Sequence, residues 1–323
     1  MTSSRTTRLA LAGTVLLWAV AFPAIKVGLD GFDVAGLSIL RLLVAAGALA
    51  LVAPLLGVRR PRVRDLGWVA LCGASGMSAY QLLLNWGEVH VPAGTASLLI
   101  SVAPVFSVLL AAGFLGERVG VRVGIGSLVA VGGSALIALS GGEVGYSAAA
   151  WVVLAAAAVQ GLYHAASRPL LARYTPLEVA CYATWSGALF LSPLAPAALV
   201  DVPSAGPGPV LAVGFLGLLP SALGFVLWGY AVSRSTMSTA TAALYLVPVV
   251  AIAVSFGWLG ELPTAFEIVG GLVSMAGVAI IQGVGRRRVG GLTADLGGLP
   301  GRRARRQAPG PVLDGSSVRP EAA

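Results

Sequence analysis

Few side chains in this 323-residue chain could do chemistry, and most of those stand inside apolar runs. Arg41 is one. A charge at the centre of a bilayer costs about 2.5–3.5 kcal/mol on insertion scales, so Arg41 should face a wet cavity or a partner, where it could attract an anionic or zwitterionic solute. His164 titrates near neutrality in its ordinary state, which makes it a candidate proton carrier, or else a packing histidine. Gln81 and Asn85 lie one turn apart and share a helix face. Amides in apolar surroundings need partners, so this pair either lines a passage or bonds to a neighbouring helix. Pro104 and Pro248 fall near the middle of their runs. A mid-helix proline removes one hydrogen bond and clashes with the carbonyl one turn earlier. The freed carbonyl could coordinate a solute, or the bend could serve packing alone.

Other chemistries lack their residues. The phosphate-cradling pattern GxxxxGK[ST] is missing, so ATP is not the expected energy source. No cysteine and histidine set suggests a metal, and neither His90 nor His164 has an evident carboxylate orienter for nucleophilic catalysis. No cofactor and no enzymatic activity are expected. The two cysteines, Cys72 and Cys181, stand in apolar runs and read as buried neutral thiols.

Composition says where these residues must work. Apolar residues make up 57% of the chain and charged residues 11%, against about 25% in a typical soluble protein. Mean hydropathy is +0.88. A soluble enzyme, a disordered chain and a disulfide-stapled domain are all excluded, which leaves a polytopic membrane protein in the lipid bilayer. Ten apolar segments are long enough, or nearly so, to cross a bilayer: Leu9–Val27, Gly36–Leu56, Leu66–Trp86, Gly94–Leu115, Val123–Leu139, Ala148–Leu170, Leu177–Val200, Val210–Val232, Thr236–Leu259 and Ile268–Val284. Each must be a helix, because a lone strand would leave backbone groups unpaired in hydrocarbon. Arg5 and Arg8 before the first run give it the look of a signal peptide, a reading that the nine following spans disfavour.

The net charge of +8 does not indicate nucleic acid. With the N-terminus in the cytoplasm, 19 of the 21 basic residues fall on the inner side, eight of them in the tail between Arg286 and Arg319. The exceptions are Lys26, at a span end from which it can snorkel outward, and Arg41. The outer loops carry Asp30, Asp33, Glu88, Glu143, Asp201, Glu261 and Glu267. This is the positive-inside pattern of a multi-pass protein of the cytoplasmic membrane with both termini cytoplasmic. With every Asp and Glu in a loop or at a span end, a carboxylate proton relay is not expected. Facilitated diffusion, or coupling through His164, fits better. Residues 286–323, rich in Arg, Gly and Pro, read as a basic disordered cytoplasmic tail.

A shift of 144 residues aligns the two halves without a gap. Thr95-Ala96 meets Thr239-Ala240, Pro104-Val105 meets Pro248-Val249, and Leu115-Gly116-Glu117 meets Leu259-Gly260-Glu261. Gly126, Gly133 and Ala135 meet Gly270, Gly277 and Ala279. Each half then holds five spans, residues 1–145 and 146–285, and an odd number inserts the second half upside down. Inverted repeats of this kind support alternating access around a site near the midplane. Among the aromatic candidates Tyr80, Tyr163, Trp185, Trp228 and Tyr245, the three on spans expected to face the repeat interface are Tyr163, Trp228 and Tyr245. Glu117 and Glu261, each at a span end, read as caps or hinge contacts that serve the start of the following helix.

Trp18-Ala-Val-Ala-Phe22-Pro-Ala-Ile-Lys26, Arg41, Pro104, Leu115-Gly-Glu117-Arg and Gln160-Gly-Leu-Tyr163-His-Ala-Ala-Ser-Arg168 together resemble the EamA-type proteins of the drug/metabolite transporter superfamily. The resemblance covers about residues 9–284. It implies movement of small metabolites such as amino acids, sugars or drugs, and adds Trp18 and Phe22 to the candidate site. Gln160 departs from it, since the family's second half often has Trp there. The expected fold is thus an all-α membrane protein of ten transmembrane helices in two inverted five-helix repeats. The expected function is secondary transport of a small-molecule substrate, in the export direction. A non-transporting scaffold or an accessory subunit of a lipid-modifying complex is the alternative, and the sequence leaves a homodimer open.

Overall fold

The computed structural model describes residues 2–115, 120–140, 144–235, 240 and 243–295. Glu117, Glu143 and the tail from residue 296 lie outside the described residues. Every regular element among them is helical. Seven helical stretches are long and apolar enough to cross a membrane: Arg5–Leu29, Val34–Val52, Ala93–Leu110, Val121–Leu139, Ala148–Leu171, Pro176–Asp201 and Pro207–Arg234. Shorter apolar helices run over Leu246–Leu259 and Ala265–Ile281. Large apolar side chains such as Leu51, Leu55, Leu128 and Val200 are three-quarters exposed or more. A solvated protein rarely shows so many, and lipid is the solvent that accommodates them.

Local signals set the helix ends. α1 (Thr2–Leu29) leads through a short turn to α2 (Val34–Val52), whose N-cap Asp33 accepts from the Gly36 amide at 2.6 Å. α2 stops four residues short of the expected Leu56. Pro54 has no N–H with which to continue the helical ladder, and Gly57 takes a left-handed φ of 66° that turns the chain. α3 (Leu66–Cys72) passes through a π-helical segment, Gly73–Ala79, into α4 (Tyr80–His90). α5 (Ala93–Ile100) and α6 (Ala103–Leu115) form one broken span, and α7 (Val121–Ser140) follows. In the second half α8 (Val144–Leu171) precedes α9 (Pro176–Leu191), which opens with a reciprocal capping box between Thr175 and Glu178 and has Pro176 in its first turn. α10 (Ala195–Asp201) continues that span. α11 (Pro207–Leu216) runs through a second π segment, Gly217–Leu223, into α12 (Gly224–Arg234). α13 (Leu246–Leu259) ends on the left-handed Gly260, and α14 covers Ala265–Asp295, so helix continues past the Val284 end expected from the sequence.

Three irregularities recur at the 144-residue spacing. The two π segments start at Gly73 and Gly217. The broken span of the first half turns at Ser101 and Val102, and that of the second one position earlier in register, at Leu244 and Tyr245. Gly126 and Gly133 of α7 face Gly277 and Gly270 of α14 so closely that a Cβ at any of the four would overlap backbone of the other helix. Small residues are what allow helices in lipid to approach this far, and Ser134 and Ser274 add a hydroxyl pair at 3.0 Å.

These breaks revise the role expected of Pro104 and Pro248. Neither kinks a continuous helix. Each lies in the first turn after a break, the second residue of α6 and the third of α13. There a missing N–H costs little, because first-turn amides have no partner within the helix.

Charged loop residues clamp the halves together. The Arg59 guanidinium grips Glu178, with Nε to Oε1 at 2.7 Å and Nη2 to Oε2 at 3.1 Å. The Tyr174 hydroxyl donates to Asp65 Oδ2 at 2.7 Å, and Arg173 pairs with the other oxygen. The Tyr174 hydroxyl and then the Arg173 and Arg64 charges hold the Asp65 carboxyl below the usual carboxylate range. Arginines that read as topology signals are therefore also structural ties. Elsewhere Glu261 accepts from the Ala93 amide at 3.0 Å, capping α5 of the other half rather than the helix that follows it. Glu267 takes the local capping role, bonded reciprocally with Thr264, and also accepts from the Thr95 hydroxyl.

Candidate functional site

One cavity gathers residues from most of these elements, about 720 Å³ of empty space counting its open mouth. α1 supplies Trp18, Ala21, Phe22 and Ile25, α2 supplies Arg41, and α4 supplies Tyr80 and Leu84. The broken spans add Ser97, Ile100, Ser101, Ala103 and Pro104 from one half and Leu244, Val247 and Pro248 from the other. Gln160 and His164 come from α8, Pro220 from the second π segment and Phe225 from α12. Ile100 and Leu244, Ala103 and Val247, and Pro104 and Pro248 are three pairs at the 144-residue spacing. The two helix breaks therefore face one another across the same space.

Six expected site residues meet here: Trp18, Phe22, Arg41, Pro104, His164 and Pro248. Arg41 is 5% exposed, and its Nε and Nη2 share the Ser221 hydroxyl at 3.3 and 3.1 Å, while Nη1 has no hydrogen-bond partner. Ser221 belongs to the second π segment, so the irregular helix of one half holds the guanidinium of the other. Gln160 and His164 lie one turn apart with their side-chain nitrogens 3.5 Å apart. Gln160 Oε1 and His164 Nδ1 are buried without hydrogen-bond partners among the described residues.

The other five do not line the space. Tyr163 and Trp228 are buried one layer behind it: Trp228 packs at a tilt against His164 at 5.1 Å and against Trp18 at 5.6 Å, and Tyr163 meets Phe225 edge-on at 5.3 Å. They position wall rings and do not form the wall. Tyr245 sits at the second break and packs against the cluster around Val102 and Val105. Of the amide pair, Asn85 donates to the Ser38 hydroxyl at 2.8 Å, tying α4 to α2, and Gln81 is buried away from the cavity. Tyr80, passed over in favour of Tyr163, Trp228 and Tyr245, is the tyrosine that does line it. Gln160, the departure from the family's usual Trp, is a polar wall residue. Its i, i+4 spacing from His164 was the available signal.

Glu88 also moves. The sequence places it in an outer loop, but α4 extends to His90 and buries Glu88 completely, with neither oxygen hydrogen-bonded. Lys26, Arg41 and Glu261 are its electrostatic neighbours. An acidic group thus lies buried with the cavity arginine as an electrostatic neighbour; it sits in the last turn of α4, at a span end as expected, but inside the helix and not in the loop.

The EamA-like transporter family matches residues 6–139 and again 147–283. The chain belongs to the EamA-like transporter family. It is therefore a multi-pass membrane protein that moves small solutes, and not an enzyme. Among its relatives, a probable terminal-alkyne amino-acid exporter of Streptantibioticus cattleyicolor is 62% identical over 86% of this chain and 95% of the relative. An uncharacterized transporter of Bacillus subtilis is 35% identical over 81% and 86%, and a probable amino-acid metabolite efflux pump of Escherichia coli is 26% identical over 82% and 91%. One crystal structure superposes with a TM-score of 0.60 at 19% identity, covering 85% of this chain and 97% of that one, a likeness of fold alone.

Proposed function

We propose that this EamA-family transporter is a ten-span inverted-repeat exporter that moves a small apolar amino acid, of the terminal-alkyne kind, out of the cytoplasm by alternating access. The observation that carries the reading is the cavity, where paired helix breaks from the two halves meet a buried arginine. Half-helices at a midplane site are the usual construction of such carriers. The ten spans are α1, α2, α3–α4, α5–α6, α7, α8, α9–α10, α11–α12, α13 and α14. The twofold family match and the recurring irregularities support two repeats, over residues 1–145 and 146–285. Contacts between loops support the orientation with both termini in the cytoplasm. Arg59 and Asp65 meet Glu178 and Arg173, all on the expected inner side. Ala93 meets Glu261, and Thr95 meets Glu267, on the expected outer side. The amino-acid class comes from the names of the relatives, and the Trp18, Phe22, Ile25 and Phe225 wall suits an apolar side chain.

Purified protein in liposomes preloaded with L-propargylglycine, a terminal-alkyne amino acid, should drive counterflow of the labelled compound faster than protein-free vesicles. The absence of flux for L-propargylglycine and for every other apolar amino acid tried would overturn the reading.

A further inference from the structure

Among the described residues, the cavity-wall side chains Arg41, Gln160 and His164 each carry a buried polar atom without a hydrogen-bond partner, and those of Arg41 and Gln160 are of opposite kind. Arg41 Nη1 is a donor on a permanently charged group, and among the described residues that guanidinium hydrogen-bonds to the neutral Ser221 hydroxyl alone. Gln160 Oε1 is an acceptor, since its amide nitrogen is the atom turned toward His164. Burying either atom unmade costs free energy, and the two residues that carry them line the same space. Around them the wall is apolar and aromatic. Trp18 and Phe22 belong to that wall, and aromatic rings attract a cation more than an anion.

A ligand that satisfies both atoms carries an anionic acceptor and a cationic donor. Glu88 is an electrostatic neighbour of Arg41 but makes no hydrogen bond to Nη1, so that donor stays open to an anionic acceptor, and a simple cation would be repelled by the guanidinium. We propose that the cavity binds its amino acid as the zwitterion, with Arg41 Nη1 donating to the carboxylate and Gln160 Oε1 accepting from the ammonium. This assignment rests on the amino-acid export reading above and adds which atom reads which end. Ser221 then positions the guanidinium by holding its other two nitrogens, and leaves Nη1 free for the ligand.

The test is a ligand series on purified protein, read by the fluorescence of Trp18 and its fellow tryptophans: L-propargylglycine, its primary amide and its N-acetyl derivative. Each lost charge should weaken binding about tenfold or more, the scale of a charge-assisted hydrogen bond. R41Q should weaken L-propargylglycine about tenfold but leave the amide within about twofold, because the amide never had the carboxylate contact. Q160L should weaken L-propargylglycine and leave the N-acetyl compound unchanged. Equal binding of all three compounds by the unmodified protein would overturn the assignment whether or not the variants fold. So would an R41Q protein that loses acid and amide alike. Should all three compounds fail to bind while no amino acid shows flux, the export reading falls and this one with it. Flux of L-propargylglycine with no discrimination among the three would sink the zwitterion assignment alone.

Discussion

Gly133→Leu is expected to destabilise the protein severely. A Cβ at Gly133 would overlap the Gly270 carbonyl oxygen and the Ser274 amide, which are backbone and cannot swing away. Overpacking a well-fitted interface costs about 1–3 kcal/mol, and a helix-to-helix backbone contact belongs at the upper end. The Ser134–Ser274 and Ser274–Ala130 hydrogen bonds, at 3.0 and 2.9 Å, would be lost with the separation of α7 from α14. Gly277→Leu should cost a similar amount, because its Cβ would meet the Gly126 carbonyl and the Ala130 amide in the mirror arrangement. Gly132→Leu is the control: nothing lies within 4 Å of a Cβ there, so its side chain points into lipid. Thermal unfolding in detergent should show the melting temperature lowered by several degrees for the first two variants and nearly unchanged for the third. Equal behaviour of Gly132→Leu and Gly133→Leu would refute the close α7–α14 contact.

Ala21→Phe should nearly abolish transport while leaving the fold intact. Ala21 contributes the smallest side chain to the α1 wall, between Trp18 and Phe22 on one side and Ile25 on the other, and it faces the empty space. A phenyl ring there occupies volume that the substrate needs. Crowding of that kind costs about 1–3 kcal/mol of binding, or roughly fivefold to more than a hundredfold in affinity. The ring enters a cavity and not packed protein, so the melting temperature should hold. Counterflow of L-propargylglycine at subsaturating concentration is the readout. Wild-type flux from a stably folded Ala21→Phe protein would place the substrate elsewhere.

Much of this was legible in the sequence, for identifiable reasons. Apolar length is enough to mark spans, because hydrocarbon admits no other construction. The register of Pro104 with Pro248 and of Gly126 and Gly133 with Gly270 and Gly277 carried the repeat, since proline and closely packed glycine are tolerated only in particular places. Arg41 stood out because a buried charge is too expensive to be incidental. What escaped was rotation and hydrogen-bond pattern. The helices are apolar all round, so no stripe tells which face points inward, and Tyr80 could not be separated from Tyr163 or Trp228. The run from Gly94 to Leu115 has no compositional mark at Ser101, where the helix breaks. Pro104 therefore looked like a kink when it opens a new half-helix. Glu88 was misplaced because a span boundary drawn at Trp86 left it in a loop, whereas one more turn of α4 buries it beside Lys26 and Arg41.

The central claim is that the cavity opens to each side of the membrane in turn. Cys72 and Cys181 are buried and unbonded, so a background carrying Cys72→Ala and Cys181→Ala removes the native thiols. Ser101→Cys in that background then places one reactive group at the helix break that lines the cavity. A membrane-impermeant thiol reagent added to vesicles of either orientation reports the access. The account predicts modification from both the inner and the outer face, slowed in each case by L-propargylglycine. Modification from one face only, unaffected by the amino acid, would contradict it.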